Sequence, residues 1–201
     1  MSDHYFSPRP ASKREDRTFQ AEILGDSFIF QTDAGVFSKK GVDFGSRLLL
    51  ETVEITPSIR SILDLGCGYG LIGTVLAKVY AQDNITMADV NERAVTLATE
   101  NAVRNGVSNQ TKQLVSDGFQ ALDEQCFDLI LLNPPIRTGK ENVYRLFAEA
   151  YEHLNPNGSL WIVIRKKQGA ASAFKELERL SSEVIIRKQK KGFEILQVVK
   201  D

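Results

Sequence analysis

From residue 59 onward, short apolar runs alternate with amphipathic stretches along the chain. "SILDL" (61–65) has the pattern of a short buried strand, and "LIGTVLAKVY" (71–80) reads as a helix. "NITMADV" (84–90) is again a strand. Asn91 then caps "ERAVTLATENAVRN", whose Ala94, Val95, Leu97, Ala98 and Ala102 share one helical face. Asn105-Gly106 ends that helix. "TKQLVS" (111–116) and "FDLILLN" (127–133) predict two more strands, and "NVYRLFAEAYEHL" (142–154) a helix stopped by Asn155-Pro156-Asn157-Gly158. "SLWIVIR" (159–165) is a fifth strand, followed by a helix over 171–181. "SEVIIRKQ" and "FEILQVV", joined through Lys190-Lys191-Gly192, predict a closing antiparallel pair.

Upstream the rhythm differs. Residues 18–31 alternate in two runs around Leu24-Gly25-Asp26, which predicts a β-hairpin. Residues 32–45 are rich in glycine and short polar residues and read as a loop before a short helix at 46–53. Strands alternating with helices predict an α/β, Rossmann-like sheet. It has seven strands, mostly parallel, with helices on both faces, a terminal antiparallel pair and a small N-terminal hairpin. A single domain spans 1–201, with 1–45 as an extension and 46–201 as the core. In such sheets ligands bind beyond the carboxyl ends of the strands.

Those ends carry the chemistry. The first is "DLGCGYG", Asp64 to Gly70, where Gly66, Gly68 and Gly70 let backbone approach a ligand at a helix N-terminus. It lacks the Lys-Ser/Thr of a phosphate-binding P-loop and has Leu71 where a dinucleotide fingerprint wants Gly or Ala. Asp89, ending the second strand, is placed to accept from both hydroxyls of a ribose. Asp117 in "SDGF" could accept from an adenine amino group, with backbone at Gly118 and Phe119 framing the ring. Each also has a plainer reading: a tight turn, a helix cap, an ordinary Asp-Gly turn.

The fourth end is Asn133-Pro134-Pro135-Ile136. The prolines stop the strand and restrict Asn133 to extended backbone. If the ligand is a sulfonium methyl donor and the acceptor a planar NH₂, the Asn133 amide oxygen accepts one N–H. The Pro134 carbonyl accepts the other. Catalysis then rests on orientation and electrostatics more than on a strong base.

In this order and spacing, "DLGCGYG", "ADVN", "SDGF" and "NPPI" resemble a class I S-adenosylmethionine-dependent methyltransferase. With "TDAGVFSKKGVDFGSRLLLE" (32–51), the chain resembles the catalytic half of the small-subunit ribosomal RNA guanine-N2 methyltransferases of the C type, over roughly 18–200. The resemblance implies S-adenosylmethionine as cofactor. Gly66, Gly68 and Gly70 line its methionine part, backed by Asp64; Asp89 holds the ribose, Val90 packs on adenine, and Asp117 with Gly118 reads the ring. It further implies Asn133 and Pro134 at the target amine, with Pro135, Ile136 and Phe37 beside the acceptor. Gly35, Val36, Phe37, Asp43, Gly45 and Ser46 form a lid. Many members place an aromatic residue where Ile136 stands, and larger ones carry a second, degenerate half before the catalytic one. The implied activity is methyl transfer to an exocyclic RNA amine, guanine N2 above all. Methylation of a protein glutamine amide, or a cofactor-binding assembly factor without catalysis, stays open.

Composition narrows the setting. The 201 residues are 42% hydrophobic and 25% charged, with net charge −1. No apolar run reaches the roughly 20 residues of a membrane span. The first residues have no apolar core, and Cys67 and Cys126 lack metal-ligand spacing, so a cytoplasmic protein with reduced thiols and no metal is expected. Basic clusters at 13–17, 165–167 and 187–191 read as solvated surface or as phosphate contacts to RNA. His4 and His153 are assigned surface or packing roles, Trp161 the core, and Cys67 no nucleophilic role.

Overall fold

The structure, a computed structural model, describes residues 15–33, 35–36, 41–82 and 84–201. Strands β1 (Arg17–Ile23) and β2 (Asp26–Thr32) form the expected hairpin, in register from Arg17↔Thr32 to Ile23↔Asp26. Leu24 (φ 52°) and Gly25 (φ 89°) give the two positive φ values of a two-residue turn that matches strand twist. Helix α1 (Phe44–Thr52) starts two residues earlier than expected. The cause is its cap: Asp43 Oδ1 accepts from Ser46 N at 3.0 Å.

The main sheet is built from β3 (Ile62–Leu65), β4 (Ile85–Asp89), β5 (Thr111–Val115), β6 (Phe127–Leu132), β7 (Leu154–Arg165), β8 (Val184–Lys190) and β9 (Phe193–Val199). Its order is β5-β4-β3-β6-β7-β9-β8, and only β9 runs opposite in direction to the other six strands. Helices α2 (Leu71–Tyr80), α3 (Glu92–Arg104), α4 (Lys140–Glu152) and α5 (Ala170–Leu177) complete the fold. Alternate strand residues face opposite layers. Ile62, Met87, Leu129, Leu131 and Val163 pack under α1–α3 and the hairpin. Leu63, Leu65, Ile130 and Ile162 pack under α4 and α5. Trp161 is buried, with its indole N–H donating to Ser159 Oγ. The His153 ring stacks on Phe119 at 4.3 Å, a packing role, while His4 lies outside the described residues.

Other boundaries also differ from the sequence reading. The segment Asn155–Gly158 is no gap between α4 and β7; it belongs to β7 as an irregularity, where pairing jumps from Phe127↔Leu154 to Leu129↔Ser159. Asn157 takes φ 63°, and a Cβ on Gly158 would lie 2.8 Å from the Asn155 carbonyl oxygen, so turn residues here make a bulge. Helix α5 ends at Leu177, earlier than 181, and its exit is bonded one residue tighter, as in Leu180 N to Leu177 O.

The hairpin docks on α3 without a strand ladder. Gln31 N donates to Asn101 Oδ1 (2.8 Å) and Asn101 Nδ2 returns to Gln31 O (2.8 Å). Ile29 and Asn105 repeat the exchange at 3.0 and 2.8 Å. Residues four apart on a helix lie about 6 Å apart, close to the two-residue repeat of a strand. Two amides on one helix face therefore satisfy the outer edge of β2 as a strand would.

Candidate active site

A cavity of about 220 Å³ opens at the carboxyl ends of β3, β4, β5 and β6. Gly66, Gly68, Asp89, Val90, Asp117, Gly118, Asn133, Pro134 and Pro135 all line it, as do Val36, Asp43 and Ser46. The strand-end rule therefore brings together residues far apart in sequence. Gly66 (φ 70°) turns its missing Cβ toward open space, so the backbone itself forms the floor. At Gly70 a Cβ would lie 2.9 Å from Ala98 Cβ; this glycine lets α2 pack on α3.

Asp64 is buried behind that loop, and its Oδ2 accepts from Gly73 N at 2.9 Å. Burial raises its carboxyl to about 7; the Gly73 N–H opposes this and the neighbouring Asp89 charge adds to it. Asp89 closes the loop from the other side: Oδ2 accepts from Gly68 N (2.8 Å) and Oδ1 from Asn91 N (2.9 Å). Burial raises Asp89 too, against these N–H groups. A carboxylate oxygen accepts more than one bond, so both oxygens keep capacity toward the cavity. Burial, with the charges of Asp89 and Asp64 behind it, pushes the Cys67 thiol well up, which makes it a poor nucleophile.

Asp117 behaves differently. Its Oδ1 is paired to Arg145 Nη2 at 2.7 Å, and Arg145 Nη1 also donates to Glu149 Oε1 at 2.8 Å. Arg145 lines the same cavity. Nothing in the spacing of the sequence points to this ion pair across the β5 end.

At the β6 end, Asn133 Nδ2 donates to Ser46 Oγ at 3.1 Å, leaving Oδ1 without a hydrogen bond among the described residues. Sequence reasoning placed Ser46 in a lid; its contact with Asn133, across 87 residues, had no local signal. Pro134 O accepts from Ile136 N at 2.8 Å, the inverse γ-turn expected from Pro135 at φ −76°, ψ 70°. Its second lone pair stays available. Ile136 does not line the main cavity. It borders a small adjoining cleft with Val143, Tyr144 and Ile164. Phe37, the other residue expected near the acceptor, lies outside the described residues.

The root of the expected lid is fastened to the Asp89 turn. Asn91 Nδ2 donates to Gly35 O (3.1 Å), and Arg93 Nη1 pairs with buried Asp33 (2.8 Å), which also accepts from Gly35 N (2.7 Å). Burial works against the Asp33 charge, but Arg93 and the backbone N–H groups outweigh it and hold its carboxyl low.

The sequence profile of the methyltransferase small domain family matches residues 27–197. The chain belongs to that family. Methyltransferases of this fold draw the methyl group from S-adenosylmethionine. The uncharacterized protein YbxB of Bacillus subtilis (strain 168) is 49% identical over 201 residues, all of both chains. Ribosomal RNA small subunit methyltransferase C of Mannheimia succiniciproducens is 37% identical over 152 residues, 73% of this chain but 44% of that one. Among solved structures, the Thermus thermophilus 16S rRNA N2 G1207 methyltransferase (RsmC), in complex with AdoMet and guanosine, superposes with TM-score 0.82. It is 27% identical, covering 92% of this chain and 51% of its own. This methyltransferase small domain chain thus spans about half the length of its RsmC-type relatives. Among its described residues, no helix is long and apolar enough to cross a membrane.

Proposed function

We propose that the chain transfers a methyl group from S-adenosylmethionine to an exocyclic amine of an RNA base, guanine N2 in small-subunit ribosomal RNA. The observation that carries this reading is Asn133: its amide is held by Ser46 at the mouth of the shared cavity, with no donor on Oδ1 among the described residues. The likeness to a guanosine-bound RsmC structure over 92% of the chain supports the same acceptor.

The open floor at Gly66 and the two carboxylates around the loop fit the cofactor. Asp89 takes the ribose hydroxyls on its remaining lone pairs, Val90 packs on the adenine, and Asp117 Oδ2, left free by Arg145, accepts the adenine amino group. When bound, the cofactor supplies an electrophilic methyl carbon: the amine lone pair forms the C–N bond, the C–S pair stays on sulfur, and the surplus proton leaves to water. Asn133 Oδ1 and the spare lone pair of Pro134 O accept the two N–H groups of the amine. They hold it in place and favour the pyramidal nitrogen of the transition state. No strong base is required, because the nitrogen becomes acidic only as the methyl arrives.

The test is transfer of tritiated methyl from labelled S-adenosylmethionine into isolated small ribosomal subunits and into free RNA, followed by nucleoside analysis. Label in N2-methylguanosine is expected. Label confined to protein, or to another nucleoside, overturns the assignment.

A further inference from the structure

Arg93 is paired with Asp33, Arg145 with Asp117 and Glu149, and Arg179 with Glu176. One corner of the sheet gathers several cations that are not paired in this way. Arg165, Lys167, Lys190 and Lys191 are exposed and have no acidic partner among the described residues. Lys166 is the exception there, 3.4 Å from Glu194.

The register gathers these residues. Arg165 on β7 lies opposite Phe193 on β9, and Phe193 lies opposite Lys190 on β8. Directly paired residues of antiparallel strands project to the same face. The Arg165 guanidinium lies over the Phe193 ring at 4.6 Å, and Lys191 Nζ over Phe44 at 5.3 Å; the two rings sit 5.3 Å apart. This corner adjoins the cavity. Phe193 packs so closely on Gly45 that a Cβ there would lie 3.0 Å from its ring, and Gly45 precedes Ser46, which holds Asn133. Leu132 pairs with Ile162, so Asn133 lies beside Val163, two residues short of Arg165, or about 7 Å along the strand.

We propose that this corner is the docking surface for single-stranded RNA flanking the target nucleotide. Lys167, Lys190 and Lys191 neutralise phosphates, and the Arg165 guanidinium, backed by Phe193, is the plane on which an unpaired neighbouring base stacks. Unpartnered cations supply sequence-independent affinity. A guanidinium seated over an aromatic ring supplies a platform that selects unpaired bases over a duplex. An acidic protein surface would use the charges but not the platform. The surface rests on the RNA reading above and names where that RNA lies.

The probe is a fluorescently labelled, guanine-containing single-stranded RNA, titrated at several salt concentrations without cofactor. Replacing Lys167, Lys190 and Lys191 together with Ala should weaken binding and reduce the log–log salt slope by about 2, at roughly 0.7 per phosphate contact on a single strand. Arg165→Lys keeps the charge and removes the plane. It should weaken single-strand binding roughly 5- to 150-fold with the slope unchanged. Both variants should bind S-adenosylmethionine as wild type does, which separates a lost surface from a lost fold. A triple variant with wild-type affinity and slope overturns the surface, even if methyl transfer to RNA persists. Arg165→Lys without effect, with duplex bound as tightly as single strand, overturns the stacking platform. Wild type that binds RNA through these residues yet transfers no methyl to it supports the surface and refutes the activity instead.

Discussion

The two ends of the parallel sheet hold carboxylates in opposite conditions. At the amino end, Asp128 accepts from Arg60 N (2.7 Å), Ser61 N (3.0 Å) and Asn155 Nδ2 (2.7 Å). Burial works against its charge, but these donors win and its carboxyl is lowered. At the carboxyl end, Asp64 and Asp89 lie behind the glycine loop, where burial outweighs the backbone N–H groups and both are raised. One end is satisfied by the chain alone. The other keeps acceptor capacity unspent, as a site built for an incoming cation and its hydroxyls would.

The largest effect should come from the residue that finishes the unspent end. Asn133→Ala is expected to lower single-turnover methyl transfer by about 10²–10³, as for loss of one preorganised polar contact, with little change in RNA binding or melting. Asn133→Asp keeps an acceptor oxygen and should retain partial activity. Equal loss of rate and melting temperature in both would reduce Asn133 to a strand terminator, and a wild-type rate would remove it from the mechanism.

Next comes Asp89. The ribose contacts proposed for it are charge-assisted, about 1.5–3 kcal/mol, so Asp89→Ala should weaken S-adenosylmethionine binding roughly 10- to 150-fold by calorimetry. Unchanged affinity would place the cofactor elsewhere. Asp128→Ala sharpens the contrast from the other end. It should cost about 1–3 kcal/mol of stability, by stranding backbone donors, and leave cofactor affinity alone.

The last effect is in pH, spread over several units. Asp64 has a folded value near 7, well above that of the unfolded chain, so the folded state binds the extra proton between roughly pH 4 and 7. Stability of the cofactor-free protein should fall as pH rises through that window, by no more than about 1.4 kcal/mol per pH unit for one proton, and level off above it. Asp128, lowered, acts oppositely: its contribution is present at neutral pH and lost only as acid protonates it. Asp64→Asn should flatten the neutral limb of the melting profile. An unchanged slope would mean that another group carries the proton.

The carboxyl end was more legible in the sequence than the contacts that tune it. Glycines, Asp89, Asp117 and Asn133-Pro134 sit at breaks of apolar periodicity, and the strand-end rule draws them to one rim. Their partners lie across the fold. Ser46 at Asn133, and Arg145 at Asp117, leave no mark in a local window. Asn155-Pro156-Asn157-Gly158 misled because turn residues also build bulges, and only the pairing partner decides which. Asn101 and Asn105 did carry a signal, two amides one helical turn apart, but their target is the backbone of another element.

That amide clip also sets a chemical clock. Asn105 precedes Gly106, and an unhindered glycine backbone nitrogen readily attacks the side-chain carbonyl of a preceding asparagine, expels ammonia and closes an imide ring that water opens to a carboxylate. Here Gly106 N is held on Val103 O, so ageing proceeds only when the end of α3 opens. Once converted, the side chain of residue 105 has no N–H to give the Ile29 and Asn101 carbonyls and sets a negative charge against them. The edge of β2 would then loosen at Ile29 first, while Asn101 still holds Gln31 and every residue lining the cavity is intact.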